Sequence, residues 1–394
     1  MGMREDVLGI FPWLVQLRRD LHQYPELKYQ ESRTGEKISQ LLTEWGLRIQ
    51  RGVAETGVVG LWDTGREGPV LALRADMDAL PIKEVEDRPY ASRNPGVMHA
   101  CGHDAHVAML LGAARIIATS KPPLRGAIKF VFQPAEEGGA GGRRMVEEGV
   151  LDNPKVDMAL AFHVFPTLKV GEVGVTPGPA LASVDDFIVR IRGKGGHAAH
   201  PHMAKDPILA GVFLVQELQS IVSRATDPLD SLVVNVTSFH AGSAFNIIPE
   251  EAELWGTIRA LREEVRVQAH ASLQRIVDGI ARVHGVEATL DLKKGYPVLI
   301  NDPKVASFVE RIASQFLGED RVLRLPPSMG SEDFSYFLEQ CPGAFVVLGC
   351  SGAEGGPAPM LHSPSFDIDE RVLPLGVELW VRLAEAFLGS KEGM

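Results

Sequence analysis

Residues 98–106 read Met-His-Ala-Cys-Gly-His-Asp-Ala-His, which places three histidines, a cysteine and an aspartate in nine positions. The whole chain has 12 histidines, so this is an unusual density. A soft thiolate beside an imidazole is good ligand chemistry for zinc and similar ions. Val107, Leu110, Leu111, Ala114 and Ile117 follow at helical spacing. Cys101 and His103 are therefore expected at or just before a helix N-terminus, where the dipole favours a thiolate. Taken alone, the same residues also suit a buried cysteine with a histidine or aspartate capping a helix.

Other chemistry-bearing residues follow apolar runs. The nearly all-apolar stretch 69–76 predicts a buried strand running into Asp76 and Asp78. A strand over 126–133 leads to Glu136 and Glu137, with Gly138, Gly139, Gly141 and Gly142 loosening the turn beyond. A strand over 156–163 is expected to end on His163, and the loop after an apolar strand at 344–349 carries His362. In open α/β sheets, ligands sit outside the carboxyl ends of the strands. A two-metal hydrolytic site needs about four to six ligands and a general base, and Cys101, His103, Glu137, His163 and His362 are the candidates at that edge. Glu136 and Glu137, in an extended segment, would point opposite ways. One could hold metal while the other takes a proton from water. As a lone pair they could equally be a solvated loop.

The elements that position these residues alternate. Helices are expected over 5–21 and 32–46, with Leu-His-Gln-Tyr-Pro-Glu-Leu (21–27) between them, where His22 reads as structural. A strand is expected over 56–62 and a helix over 103–118. A shift at 176–183, Thr-Pro-Gly-Pro-Ala-Leu-Ala-Ser, reads as a linker. After it come a strand at 184–192 with Phe187, Val189 and Ile191 on one face, a helix at 206–224 capped by Asp206, strands at 231–240 and 251–260, a helix at about 262–284 and a strand at 286–292. That β-α-β-β-α-β order is ferredoxin-like. The expected architecture is an α/β hydrolytic domain (1–182 and 295–394) interrupted by an inserted α+β domain (183–294). In the returning part, helices are expected to start at Pro303, Ser331 and about Glu370.

A chain of 394 residues suits two domains. The formal charge of −11 argues against nucleic acid and anionic membrane surfaces. Mean hydropathy is near zero, and no apolar run is read as approaching a membrane span. The start, Met-Gly-Met-Arg-Glu-Asp, lacks a signal-peptide layout. Three cysteines suit a reducing compartment, so a cytoplasmic protein is expected. Cys341 and Cys350 read as packing residues.

The chain resembles the aminoacylase and hippurate hydrolase group, metallopeptidase family twenty, subfamily D. The stretches that carry the likeness are Arg-Ala-Asp-Met-Asp-Ala-Leu-Pro (74–81), 98–106, Gln-Pro-Ala-Glu-Glu-Gly (133–138), Ala-Phe-His (161–163), Gly-Lys-Gly-Gly-His-Ala-Ala-His-Pro (193–201), Phe-Asn-Ile-Ile-Pro (245–249), Gly-Thr-Ile-Arg (256–259), Met-Gly-Ser-Glu-Asp-Phe (329–334) and Leu-His-Ser-Pro (361–364). They run in order across nearly the whole chain.

The resemblance implies two divalent ions per chain, zinc first, with manganese, cobalt or nickel as alternatives. Cys101, His103, Glu137, His163 and His362 would be their ligands, with Cys101 bridging. Glu136 would be the base that activates water, and Asp78 would support the site. Asp76 stands where the wider family has a histidine ligand, and His103 is taken to supply that imidazole. The inserted domain would serve as lid and dimerisation unit. His197 would stabilise the oxyanion, across the interface of a homodimer. Asn246 and Arg259 would help hold the substrate, although Gly-Gly-His also suits a turn and Arg259 a surface strand. The expected reaction is attack by a metal-held hydroxide on the amide of an N-acyl amino acid. The near rival is a carboxypeptidase or dipeptidase acting on short peptides through the same site. Two further rivals are a Cys101 thiol hydrolase with His103 as base, which leaves four candidate residues unused, and a non-catalytic metal-binding protein.

Overall fold

The computed structural model describes residues 2–85, 87–352 and 359–389. The chain divides into two compact units. The first comprises the described residues up to Gly178, Ile300–Pro326 and those from Asp333 onward; the second is Pro179–Leu299 with Pro327–Glu332. The segment 327–332, assigned from sequence to the first domain, thus clusters with the second.

An eight-stranded sheet runs through the first unit in the order Arg48–Val53, Gly57–Asp63, Ala127–Gln133, Val70–Asp76, Met158–Lys169, Gly343–Ser351, Val173–Val175, Val322–Arg324. Its four middle strands, from Ala127–Gln133 to Gly343–Ser351, are mutually parallel. Every residue of Val70–Asp76 and of Ala127–Gln133 is buried, as strands covered on both faces must be. Helices Phe11–Gln23, His103–Ser120 and Val372–Leu388 share one apolar cluster, which includes Leu14, Leu110, Leu111, Phe162 and Trp380.

The chain passes from Val70–Asp76 to the strand on one side of it and then to Met158–Lys169 on the other. Pairing between those two neighbours stops at Arg74 and Ala161. The longer strand continues to Lys169 against Gly343–Ser351 alone. His163 therefore lies mid-strand rather than at a strand end. Counting on from the Arg74–Ala161 pair puts it level with Asp76, where the two strands no longer pair.

In the second unit the four-stranded sheet is antiparallel, ordered Leu232–Ala241, Glu251–Ala260, Ser183–Arg192, Glu287–Lys294. This is the ferredoxin-like arrangement. Phe187, Val189 and Ile191 are buried together with Leu214, Leu218 and Leu273 of its two helices. The first of these helices, Pro207–Ser220, is capped by the Asp206 side chain.

Several local expectations need correction. The N-terminal helix is two helices, Glu5–Gly9 and Phe11–Gln23, broken just before Pro12, which lacks an N–H to continue the ladder. The linker contains a strand, Gly178–Leu181. The helix expected from Ser331 is only Ser335–Leu338. The sheet's edge strand Arg48–Val53 was not anticipated, because its exposed residues carry little apolar alternation. Pro207–Ala225 is, by length and composition, long and apolar enough to cross a membrane, a span that the sequence reading passed over. Its residues Ala210, Leu214 and Leu218 pack in the unit's own core.

Candidate active site

Gly102, at φ 85°, turns the chain into the helix His103–Ser120. Cys101 and His103, on either side of it, are both buried. Cys101 Sγ lies 3.4 Å from His163 Nε2. The other ring nitrogen of His163, Nδ1, is 2.8 Å from the Val164 carbonyl. A carbonyl can only accept, so Nδ1 carries the proton and Nε2 offers a lone pair towards the thiol. Burial and the neighbouring His106 hold the His163 pKa well below its usual value, so the ring is neutral.

His103 is fully buried, and neither ring nitrogen has an aligned hydrogen-bond partner. Nδ1 is 3.4 Å from Asp78 Oδ1, and Nε2 is 3.7 Å from Asp76 Oδ2. Burial opposes charge on this ring, but Asp76 and Asp78 outweigh it and raise the pKa.

His362 stands in the left-handed region at φ 65°, with its N–H donated to the Ala100 carbonyl. Its Nε2 is 3.0 Å from Glu137 Oε1, an oxygen that also lacks an aligned hydrogen bond. Cys101 and Glu137 push the His362 pKa up to about 10. Burial tends to raise the Glu137 pKa, but His362 and His103 pull it below the usual value.

These groups form two trios, Cys101–His103–His163 and Cys101–Glu137–His362, each with ligand-type atoms within 4.8 Å of one another. Cys101 belongs to both. A third trio, His103–Glu136–Glu137, brings Glu136 to the same place. Buried imidazole and carboxylate atoms without partners are the groups a cation satisfies. Thiolate, imidazole and carboxylate together are a donor set suited to divalent transition metals. The residues present fit that role.

The surroundings correct two sequence readings. Burial pushes the Cys101 thiol pKa up despite His103 and His362. That direction does not favour the thiolate that a Cys101 nucleophile would need. Glu136 and Glu137 are not extended. They open a short turn, Glu136–Gly139, after Ala135 at φ 55°. Their backbone N–H groups both donate to the Asp78 carboxylate, each at 3.0 Å. Asp78 thus braces the turn as well as facing His103.

Sequence reasoning passed over the buttress behind His103. Val164 N donates to His106 Nε2 at 2.9 Å, so His106 carries its proton on Nδ1, 2.6 Å from Asp76 Oδ1. Both nitrogens are spent, and His106 has no lone pair left for a metal. Asp76 also accepts from Arg74 at 2.7 Å, and Arg74 continues to Gln133 and Asp333. Burial would raise the Asp76 pKa; His103 and Arg74 hold it well below the carboxylate range. The signal available was Arg74 and Asp76 alternating on an otherwise apolar strand, a charged pair that burial makes obligatory.

The remaining candidates lie in the second unit. His197 is exposed in the strand Gly196–His197, paired with Ile247. Ala199 N donates to His197 Nδ1 at 3.1 Å, so Nε2 carries the proton and is a donor. The Asn246 carbonyl accepts from Ala198 N at 3.0 Å. Arg259 is half-buried and gives one N–H to the Met329 carbonyl at 3.1 Å.

A mixed α/β sheet interrupted by a ferredoxin-like unit, with ligand-type residues at its carboxyl edge, defines a class of hydrolase. A family model described as Peptidase family M20/M25/M40 matches residues 72–386, and the chain belongs to that family. It is 41% identical to IAA-amino acid hydrolase ILR1-like 4 of Arabidopsis thaliana, over 96% of this chain and 86% of that protein. It is 39% identical to thermostable carboxypeptidase 1 of Saccharolobus solfataricus, over 99% and 98% of the two chains. It is 40% identical to N-acetyl-L-cysteine deacetylase of Bacillus subtilis, over 96% and 89%. Among solved structures it resembles the Bacillus subtilis YXEP protein, a dinuclear metal binding peptidase from the M20 family, with TM-score 0.84, 36% identity and coverage of 97% and 99%. The chain is accordingly a hydrolase of this metallopeptidase family.

Proposed function

We propose that the chain is a metal-dependent amidohydrolase that releases a carboxylic acid and a free amino acid from N-acyl amino acids. The observation that carries this reading is the pair of ligand trios sharing Cys101 with Glu136 beside them. Cys101, His103, Glu137, His163 and His362 would hold two divalent ions, zinc first among them. When bound, such ions supply Lewis-acid polarisation of the carbonyl and lower the pKa of water.

Glu136 takes a proton from the attacking water and returns it to the leaving nitrogen. Asp78 keeps Glu136 and Glu137 in register by accepting both of their amides. His197 Nε2–H donates to the oxyanion. Asn246 and Arg259 orient the substrate, Arg259 through its carboxylate.

His197 serves the neighbouring chain of a homodimer in this reading. In its support, Leu209, Val212 and Phe213 on one helix and Phe239 on the edge strand Leu232–Ala241 are exposed apolar side chains of the second unit. Such a patch beside an open strand edge marks an interaction surface. The three cysteines are free and buried, which suits a cytoplasmic setting.

A carboxypeptidase is the second reading, favoured by the likeness to thermostable carboxypeptidase 1. It is the same reaction with a peptide as the acyl group. The test is a hydrolysis screen of N-acetyl, N-benzoyl and indole-acyl amino acids alongside dipeptides, with zinc, manganese or cobalt added. Turnover of dipeptides alone would overturn the N-acyl reading, and turnover of none would overturn both.

A further inference from the structure

We propose that the segment Glu26–Glu31 is a positioning clasp for the turn that carries Glu136 and Glu137, with Glu31 as its principal residue. The turn cannot hold its own shape. Ala135 at φ 55° and Ala140 at φ 54° are non-glycine residues in the left-handed region, and Gly138 between them is at φ 72°. Such backbone persists only where its surroundings over-determine it.

Asp78 accounts for two amides of the turn, Glu136 N and Glu137 N. The amide just before them, Ala135 N, donates to Glu31 Oε1 at 2.9 Å. Three consecutive N–H groups are thus gripped by two buried carboxylates. The other Glu31 oxygen accepts from Thr56 Oγ1 at 2.6 Å. Glu31 is wholly buried, and among the described residues no arginine or lysine forms an ion pair with it. Burying a carboxylate without a countercharge is costly. Serving an inward-facing amide next to the base is a reason to keep it.

The same segment reaches the far side of the turn. Lys28 Nζ donates to the Glu137 carbonyl at 3.0 Å, and Tyr29 Oη donates to the Gly139 carbonyl at 2.7 Å. It also holds the Asp78 strand-end, because Ala79 N donates to the Glu26 carbonyl at 2.8 Å and Leu27 bridges Ala79. One six-residue segment therefore touches both sides of the turn and the residue next to Asp78. The bonds that Glu31, Lys28 and Tyr29 make to the turn all go to its backbone, so the role is positioning.

This inference rests on Glu136 as base and Glu137 as ligand. The test compares Glu31→Ala, Glu31→Gln, Tyr29→Phe and the wild type as full chains. Two readouts are used: cobalt(II) affinity from its absorption spectrum, and kcat, KM and the pH profile of kcat on an N-acetyl amino acid. Glu31→Ala is expected to lower kcat and cobalt affinity by about 10- to 100-fold, the usual effect of losing an outer support of a metal site. KM should stay within about threefold, because no substrate contact is removed. Glu31→Gln keeps a carbonyl for Ala135 N–H and an amide for Thr56, so it should restore most of the loss. Tyr29→Phe should shift both readouts the same way by less.

A folded Glu31→Ala with wild-type kcat and cobalt affinity would overturn the proposal. So would losses that match the unfolded fraction alone, with the pH profile unmoved. If Glu31→Ala does not fold, Lys28→Ala combined with Tyr29→Phe replaces it, and unchanged readouts there also overturn the clasp. A wild type that binds cobalt but hydrolyses no amide refutes the proposed function, and the clasp is then judged on cobalt affinity.

Discussion

Neighbouring residues of one chemical type rarely share a job, and Glu136 and Glu137 offer the sharpest separation. Glu136→Gln keeps size and removes the base, so turnover should fall by roughly two to four orders of magnitude while divalent binding survives. Glu137→Gln should instead weaken metal binding, as read by isothermal titration with zinc. Exchanged phenotypes would reverse the two roles. Chelation should abolish hydrolysis in the wild type, and added zinc, manganese or cobalt should restore it; full activity in metal-free protein would revive a thiol mechanism. The candidate ligands were readable because cysteine, histidine and glutamate stand out beside apolar runs. Their supports were not. Which nitrogen of His106 accepts from Val164, and that Asp78 takes two amides from the turn, are facts of three-dimensional approach. No periodicity encodes them.

Among the elements, the turn at Gly102 sets both Cys101 and His103. A Cβ there would meet Val164 Cγ2 at 2.4 Å, in a backbone conformation with φ +85°. Gly102→Ala should cost about 1–3 kcal/mol of stability and weaken cobalt binding, seen by thermal unfolding and titration; an unchanged melt would show that the turn gives way. In the second unit, buried Asp185 accepts from Arg266 at 2.8 Å and from Gly295 N at 3.0 Å, and lies 2.6 Å from His270. Burial raises the Asp185 pKa, but Arg266 and His270 outweigh it and hold it below the ordinary 3.8. A depressed carboxylate stabilises fully above its unfolded pKa, and that contribution is lost as pH falls through the folded value. The share of the acid limb of thermal stability that Asp185 contributes should therefore set in below about pH 4 and be missing in Asp185→Asn, where the limb becomes shallower. That variant also weakens the hold on Arg266, which keeps Glu263 at 3.1 Å and the Gly295 carbonyl, at a cost of roughly 1–3 kcal/mol. A melt of Asp185→Asn that keeps the wild-type acid limb would assign it elsewhere. The strands at 70–76 and 184–192 were legible because burial on two faces or on one leaves an apolar run or an alternation. Val173–Val175 and Val322–Arg324 were not, since three residues carry no period.

For the whole molecule, the question is whether one chain makes a complete site. Every proposed metal ligand lies in the first unit and His197 lies in the second, so the proposed oxyanion donor and the proposed base belong to different compact units. In the proposed homodimer, two-fold symmetry makes any loan of His197 reciprocal and gives two composite sites. His197→Ala and Glu136→Gln would each be inactive alone, the first lacking a donor at both sites and the second lacking a base at both. In a mixed dimer the two defects fall together. The site built on the Glu136→Gln chain receives the altered position 197, and the other site has an intact base and an intact His197. Random exchange of equal amounts makes about half of the dimers mixed, so roughly a quarter of wild-type sites should reappear. The measurement is hydrolysis after mixing, with exchange followed independently by native mass spectrometry of differently tagged chains. If subunits exchange and no activity returns, His197 acts within its own chain or not at all. If the chain sediments as a monomer while fully active, the shared site is refuted outright.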